Sequence, residues 1–328
     1  MKTTVLSAHS EFIYPECLVT KSCHASTVLP LSGGNVVAAW FGGTKEGADD
    51  VKIYVSVREN GVWSAPYSVS APEKPLPHWN PVLFSPEEGK IILYFKYGKP
   101  ISKWVTYYAV SLDGGKSFCE AKPLLKDDND GGRGPVKNKP VMLKDGTVLA
   151  PASKEHKING WKCFVDISKD GGFTFEHSNF VLRPKKNGKR VDMIQPTLWE
   201  DESGVHMFVR TNAGRIYRSD SKTAGKTWCK AYETELLNNN SGIDAVSLSD
   251  GSLVLVSNPI GENWGDRSPL TLMRSFDGGK TFEEFYKLES KIGDFEFSYP
   301  AITAVNKKLY ITYTYERKTI KYAEIEID

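Results

Sequence analysis

Six segments of this chain carry a polar or titratable residue within their first two positions and run on into apolar sequence. They are "HASTVL" (24–29), "WNPVLF" (79–84), "NKPVML" (138–143), "IQPTLW" (194–199), "IDAVSL" (243–248) and "SYPAIT" (298–303). Their openings present His24, Asn80, Lys139, Gln195, Asp244 and Tyr299. His24 can neutralise a carboxylate when protonated or take a proton when neutral, and Tyr299 can donate or accept one. Five further segments hold many of the charged residues and tryptophans: 41–50, 97–104, 153–161, 210–215 and 259–268. Arg210 and Arg267, within them, can each grip a carboxylate through a bidentate, charge-assisted pair. Lys96 and Lys139 add positive potential, while Asp244 and Glu155 offer further acids. Trp79, Trp104, Trp161 and Trp264 supply faces on which a sugar ring can stack. The bland alternatives are ion pairs of the arginines with Asp266 or Glu316, a satisfied channel histidine, and acids that anchor loops. Taken together, these residue types suit an anionic carbohydrate.

Such scattered residues must be gathered by a repeated scaffold, and the sequence contains one. The octet "SLDGGKSF" (111–118) returns as "SKDGGFTF" (168–175) and "SFDGGKTF" (275–282). "SVRENGVW" (56–63) and "SDSKTAGKTW" (219–228) are weaker copies, the latter with two extra residues when opened at Ser219. The openings recur about every 55 residues, which leaves room for about six modules. Asp and Ser side chains bond nearby N–H groups and glycines supply positive φ, so each octet is a tight turn. A second Gly-bearing turn precedes each octet, as in "LSGGNVVAAW" (31–40) and "LSDGSLVLV" (248–256). Each module therefore reads as four antiparallel strands, and six modules form an all-β, six-bladed propeller. The last module lacks a strand, which the N-terminal "TTVLSA" can supply, closing the ring and hiding its edges. The whole of 1–328 is then one propeller domain. The octet turns lie on one face, and the six openings with the five variable segments on the other, where a pocket forms.

Composition narrows the partners. Of 328 residues, 40% are hydrophobic and 12% aromatic, as expected for an all-β globular chain. A net charge of +2 argues against a nucleic-acid partner, and the basic stretch "RPKKNGKR" (183–190) reads as a solvated loop. The start "MKTTVLSAHSEF" has no long apolar core, so neither signal peptide nor membrane span is expected. Five scattered cysteines without a CxxC pair fit a reducing, cytoplasmic setting. Motifs for phosphate, dinucleotide, zinc and calcium sites are lacking, so no cofactor or metal is expected.

The octet is an Asp box, and the module order resembles the sialidase superfamily of six-bladed propellers over essentially the whole chain. The resemblance implies three arginines on a substrate carboxylate, a tyrosine nucleophile activated by a glutamate, and a proton-handling aspartate near blade one. Arg267 in "DRSPLTLMRSFDGG" matches the arginine before the last Asp box. Arg210 in "FVRTNAGR" matches the second arginine, with Arg215 as the alternative. The acid falls within "GGTKEGADDV", as Asp49 or Asp50, with Glu46 third. Three positions depart from the pattern: His24 replaces the first arginine, Gln195 the glutamate, and Phe297 the nucleophile, with Tyr299 two residues on along the same strand face. Gln cannot polarise a phenol as a carboxylate does, and Phe has no oxygen for attack. The chain is most similar to a neuraminidase-like branch in which "HAST", "AWFGGTKEGADDV", "WNPVLF", "KNKPV", "SGIDAV" and "SYPA" recur together. The resemblance implies an exo-acting glycoside hydrolase for a terminal acidic sugar of an acidic oligosaccharide. Arg210, Arg267 and His24 would hold the carboxylate, and Asp49 or Asp50 would protonate the leaving oxygen. Tyr299 or an activated water would attack from the other side. The alternatives are a lyase cleaving a uronate-containing glycan through His24 and Tyr299, and a glycan-binding propeller without turnover.

Overall fold

In a computed structural model that describes residues 2–72, 74–126, 128 and 131–328, antiparallel strands account for nearly all the regular structure. Their pairing gives six sheets and one small hairpin. Blade one runs Ser22–Pro30, Val36–Gly43 and Lys52–Glu59, with Val62–Trp63 and Tyr67–Val69 sharing the outer position. Blade two is His78–Glu87, Lys90–Tyr97, Val105–Ser111 and Lys122–Pro123. Blade three is Val141–Met142, Val148–His156, Gly160–Ser168 and Glu176–His177. Blade four is Met193–Asp201, Gly204–Thr211, Arg215–Ser221 and Tyr232–Leu237, and blade five is Asp244–Ser247, Leu253–Ser257, Leu270–Ser275 and Glu283–Glu289. Blade six takes three strands from the C-terminus, Phe297–Val305, Lys308–Tyr315 and Thr319–Ile327. Its outer strand is Val5–Phe12, paired antiparallel from Val5↔Ile327 to Phe12↔Lys321. The expected ring closure is therefore present.

Second strands such as those over 36–41 and 91–95 read as apolar runs because both of their faces are covered. In blade one, Val37, Ala39 and Phe41 pack with Leu83, Leu93 and Phe95 of blade two. The alternate residues Val36, Ala38 and Trp40 pack with Tyr310, Ile320 and Tyr322 of blade six. A blade's two faces thus belong to two different cores, and no single sheet could bury its own surface.

The octets close these cores. In the copy at 275–282, Asp277 accepts hydrogen bonds from the Thr281 N–H (2.9 Å), the Thr281 hydroxyl (2.6 Å) and the Ser275 hydroxyl (2.8 Å). The octet's second glycine is there because of a close approach. A Cβ on Gly172 would sit 2.3 Å from the Tyr94 hydroxyl of the preceding blade, and one on Gly115 would meet Val37 at 2.8 Å. Two copies differ from expectation. The fourth starts at Ser221, not Ser219, and has no insertion. The Ser221 Oγ accepts the Gly225 N–H and Thr223 takes the aspartate's place, accepting the Thr227 N–H. The first copy is a two-residue Asn60–Gly61 hairpin, both with positive φ. The basic stretch at 183–190 contains another such hairpin, Lys185–Lys186 against Lys189–Arg190 around Asn187–Gly188. Among the described residues no helix is long and apolar enough to cross a membrane.

Candidate functional site

Four blades begin with the same backbone device. One extra residue is inserted in the innermost strand at His24/Thr27, Trp79/Val82, Ile194/Thr197 and Ser298/Ala301, relative to the neighbouring strand. Each bulge holds a non-glycine residue at positive φ: Ala25 (53°), Asn80 (40°), Gln195 (54°) and Tyr299 (51°). Such residues cost about 1–3 kcal/mol each and collect where a side chain must be aimed. Three of them, Asn80, Gln195 and Tyr299, line one cavity of about 210 Å³ on the axis. In blade one the bulge residue is Ala25, one position past His24, and His24 itself reaches the same cavity. The remaining walls are Glu46, Trp79, Trp104, Glu155, Trp161, Arg210, Trp264, Arg267 and Arg317, with Ile101 and Ile194.

Tyr299 is the centre of this arrangement. Its hydroxyl oxygen accepts from Arg210 Nη1 at 2.5 Å and lies 3.5 Å from Gln195 Nε2. The guanidinium carbons of Arg210 and Arg267 lie 5.6 and 5.7 Å from its ring centre, and the His24 ring is 4.1 Å away. Arg210 is also held by Asn240 Oδ1 (2.8 Å) and Gln195 Oε1 (3.1 Å), beneath Trp161 and Trp264. Gln195 therefore orients the arginine and has no carboxylate with which to polarise the phenol. Below, the buried Lys137 ammonium binds Asn138 Oδ1, Ile243 O and Pro300 O, fastening blades three and five to the Tyr299 bulge. Burial pulls the Lys137 pKa down to about 7.

Two guanidiniums share one carboxylate. Glu296 accepts from Arg267 Nη1 (2.7 Å), Arg317 Nε (2.9 Å) and the Ser298 hydroxyl (2.8 Å). Burial pushes its carboxyl up, but Arg267 and Arg317 outweigh that and hold it below the usual range. Arg317 also donates to Glu46 Oε2 at 2.5 Å and approaches His24 Nε2 at 3.5 Å. His24 Nδ1 faces the Thr314 hydroxyl at 3.0 Å. Burial first, then Arg317, Arg267 and Arg210, drive His24 well below its ordinary pKa, so the imidazole is neutral. His24 thus offers a lone pair and no positive charge. Among the described residues, Arg210 Nη2 and Arg267 Nε and Nη2 have no hydrogen-bond acceptor, so their N–H groups remain for a ligand.

The cavity gathers His24, Glu46, Trp79, Asn80, Gln195, Arg210, Arg267 and Tyr299, and it leaves out six other expected residues. Asp49 is exposed and pairs with Lys99 (2.7 Å), while Asp50 accepts the Thr44 N–H (3.0 Å), pinning its own loop. That loop turns Glu46 inward and the two aspartates outward. Arg215 lies on the outer side, against Glu233 and Glu235. Lys96 is sealed between strands, its ammonium bonded to the Thr106 hydroxyl (2.6 Å) and the Arg133 carbonyl. Lys139 and Asp244 bind each other at 3.0 Å, and Asp244 also accepts the Thr197 hydroxyl and the Ile302 N–H. These two knit blades three to six together around the axis. Phe297 is fully buried against Phe295 and Tyr315. Arg267 pairs with Glu296, and neither Asp266 nor Glu316 is its partner. Arg317 and Glu296 were not expected. Arg317 sits in the turn between the second and third strands of blade six, the same position from which the other blades send residues into the cavity. Among the described residues no group of three or more His, Cys, Asp or Glu is disposed to hold a metal ion.

Comparison with known proteins fits this architecture. Residues 34–311 match the family described as a BNR repeat-like domain. A protein of unknown function from Dyadobacter fermentans superposes with a TM-score of 0.79 at 17% identity, covering 99% of both chains. A Hadza microbial sialidase gives 0.79 at 16% identity, over 97% of this chain and 68% of that one. A Trypanosoma rangeli sialidase bound to the inhibitor DANA gives 0.74 at 14% identity, over 98% of this chain and 60% of that one. A comparison with curated proteins finds no match. At these identities the solved structures establish the shared fold.

Proposed function

We propose that this chain, which belongs to the BNR repeat-like domain family and shares the fold of solved sialidases, is a glycoside hydrolase releasing a terminal, carboxylate-bearing sugar from an acidic glycan. The observation that carries this reading is the convergence of Arg210, Arg267 and Arg317 with Tyr299 on one small cavity. Its volume of about 210 Å³ is below the roughly 300–1,000 Å³ of pockets for larger ligands, which suits one sugar ring at a chain end. Arg317 takes over from blade six what the resemblance assigns to a first-blade arginine, and His24 stands beside it. The open N–H groups of Arg210 and Arg267 grip the sugar's carboxylate, with Arg317 adding charge behind them. Trp161 and Trp264, already flanking Arg210, cover the ring and exclude water.

Tyr299 then faces the anomeric carbon. Its oxygen accepts from Arg210, which leaves its own proton to donate, and the neutral His24 ring packs against its ring at 4.1 Å. Attack comes from the Tyr299 oxygen or from a water held between Tyr299 and His24. The lyase reading is favoured by one observation: a neutral imidazole beside a phenol, with arginines near a carboxylate, is also what β-elimination from a uronate needs. Incubation with acidic oligosaccharides, followed by both ultraviolet absorbance and reducing-end release, separates the two. The hydrolase reading expects new reducing ends and a free acidic monosaccharide without an unsaturated product. Absorbing unsaturated uronate would replace it with the lyase, and binding without either product would reduce the protein to a glycan receptor.

A further inference from the structure

We infer that Glu155 is the proton donor to the leaving group, and that a neighbouring cleft on blade three receives the rest of the glycan. This rests on the hydrolase reading above. The cavity needs an acid, and the two aspartates closest to hand face solvent. Glu46 is engaged by Arg317. Glu155 is different in place and in partners. It pairs across the blade-three hairpin with Trp161, and both residues line the central cavity. Among the described residues its carboxyl has neither a hydrogen bond nor an ion pair, although the residue is half-buried. Burial raises its pKa, Arg210 offsets part of that rise, and Glu46 adds to it, which keeps the proton on the acid longer than usual.

Glu155 also lines a second, larger space of about 450 Å³, whose other walls include Arg133, His156, Lys162 and His177. Among the described residues no other lines both spaces. A glycan with its terminal ring on the arginines and its next ring in this cleft places the bridging oxygen at the shared wall. The chemistry there balances as addition of one water across the glycosidic bond. The bond from the anomeric carbon to the bridging oxygen breaks, and its electron pair stays with the oxygen. Glu155 gives that oxygen its proton, so the leaving group departs as an alcohol. Water then bonds to the anomeric carbon and returns a proton to the Glu155 carboxylate.

The test compares wild type with Glu155→Gln on two substrates carrying the same acidic sugar. One is a methylumbelliferyl glycoside, whose leaving group needs no proton, and the other is a disaccharide, whose leaving group does. The expected result is a loss of about 10²- to 10⁴-fold in kcat on the disaccharide and less than about 10-fold on the aryl glycoside. The alkaline limb of the wild-type pH profile should vanish in the variant, a change that a purely structural role would not produce. Binding of the free acidic monosaccharide by Glu155→Gln should match wild type, showing that the cavity is intact. Lys162→Ala, in the cleft wall, should raise KM for the disaccharide and leave that for the aryl glycoside unchanged. Equal losses on both substrates, or none on either, overturn the inference while the hydrolase reading stands. Absence of turnover by wild type on both substrates overturns the two together.

Discussion

Replacing Glu296 by Gln should weaken the empty protein and strengthen its grip on an acidic sugar. Glu296 receives three side-chain hydrogen bonds, two of them from guanidiniums. A hydrogen bond to a charged group contributes about 1.5–3 kcal/mol, and breaking a fully buried pair costs about 3–5 kcal/mol. Glu296, Arg267 and Arg317 are 26%, 20% and 28% exposed, so solvent screens part of that loss. Gln also keeps a carbonyl acceptor of the same shape. The expected cost is therefore about 2 kcal/mol, or roughly 3 °C in Tm for a domain of this size. The same change leaves Arg267 and Arg317 short of one counter-ion inside the cavity. A sugar carboxylate then supplies it, and affinity should rise about tenfold, equivalent to about 1.4 kcal/mol. Urea unfolding followed by tryptophan fluorescence measures the first effect. Calorimetric titration with N-acetylneuraminate and with glucuronate at low salt measures the second. A variant as stable as wild type that binds both sugars no better would refute the shared-counter-ion argument.

Two further outcomes follow from the same physics. Asp277→Ala should cost about 1 kcal/mol at neutral pH, by analogy with loss of a helix cap of similar geometry. Burial is the largest single influence on Asp277 and pushes its pKa up, but the donors from Thr281, Ser275 and the Lys280 N–H together outweigh it and hold the pKa down to about 2. Its contribution is therefore present above the unfolded value of 3.8 and fades as pH falls toward 2, so wild type and variant should converge in acid unfolding titrations. His24 has a folded pKa below its unfolded value of 6.5, so the native state resists protonation. Stability should fall as pH drops through 6.5, and His24→Gln should flatten that slope in melts between pH 5 and 7. An unchanged slope would mean that another group carries it.

The ring was legible because its periodicity is written in residues that cannot be exchanged. Gly115 and Gly172 approach the preceding blade too closely for a side chain, so the octet survives as a string. The fourth copy misled where Thr223 does the work of an aspartate through its hydroxyl. Its frame follows hydrogen-bond geometry, and the Ser219 opening matched only in residue type. Site residues at the strand openings were legible for a similar reason: Asn80, Gln195 and Tyr299 each precede a proline and sit in the same bulge. What could not be read was the direction in which a loop turns its acids. Glu46, Asp49 and Asp50 are neighbours in sequence, and the contacts of Thr44 with Asp50, Lys99 with Asp49 and Arg317 with Glu46 decide which of them faces in. Arg317 had a usable signal. The blade-six turn "YERKT" stands where the other blades present their variable segments, yet its shortness hid it.

The central claim is that the axial cavity recognises a sugar through its carboxylate. The most direct measurement is a binding cycle between an acidic monosaccharide and its methyl ester, each titrated against wild type and Arg267→Ala. Removing the ligand's charge should cost wild type at least about tenfold in Kd, and most of that cost should vanish in the variant, whose open guanidinium is gone. Equal affinity of wild type for acid and ester would contradict the account.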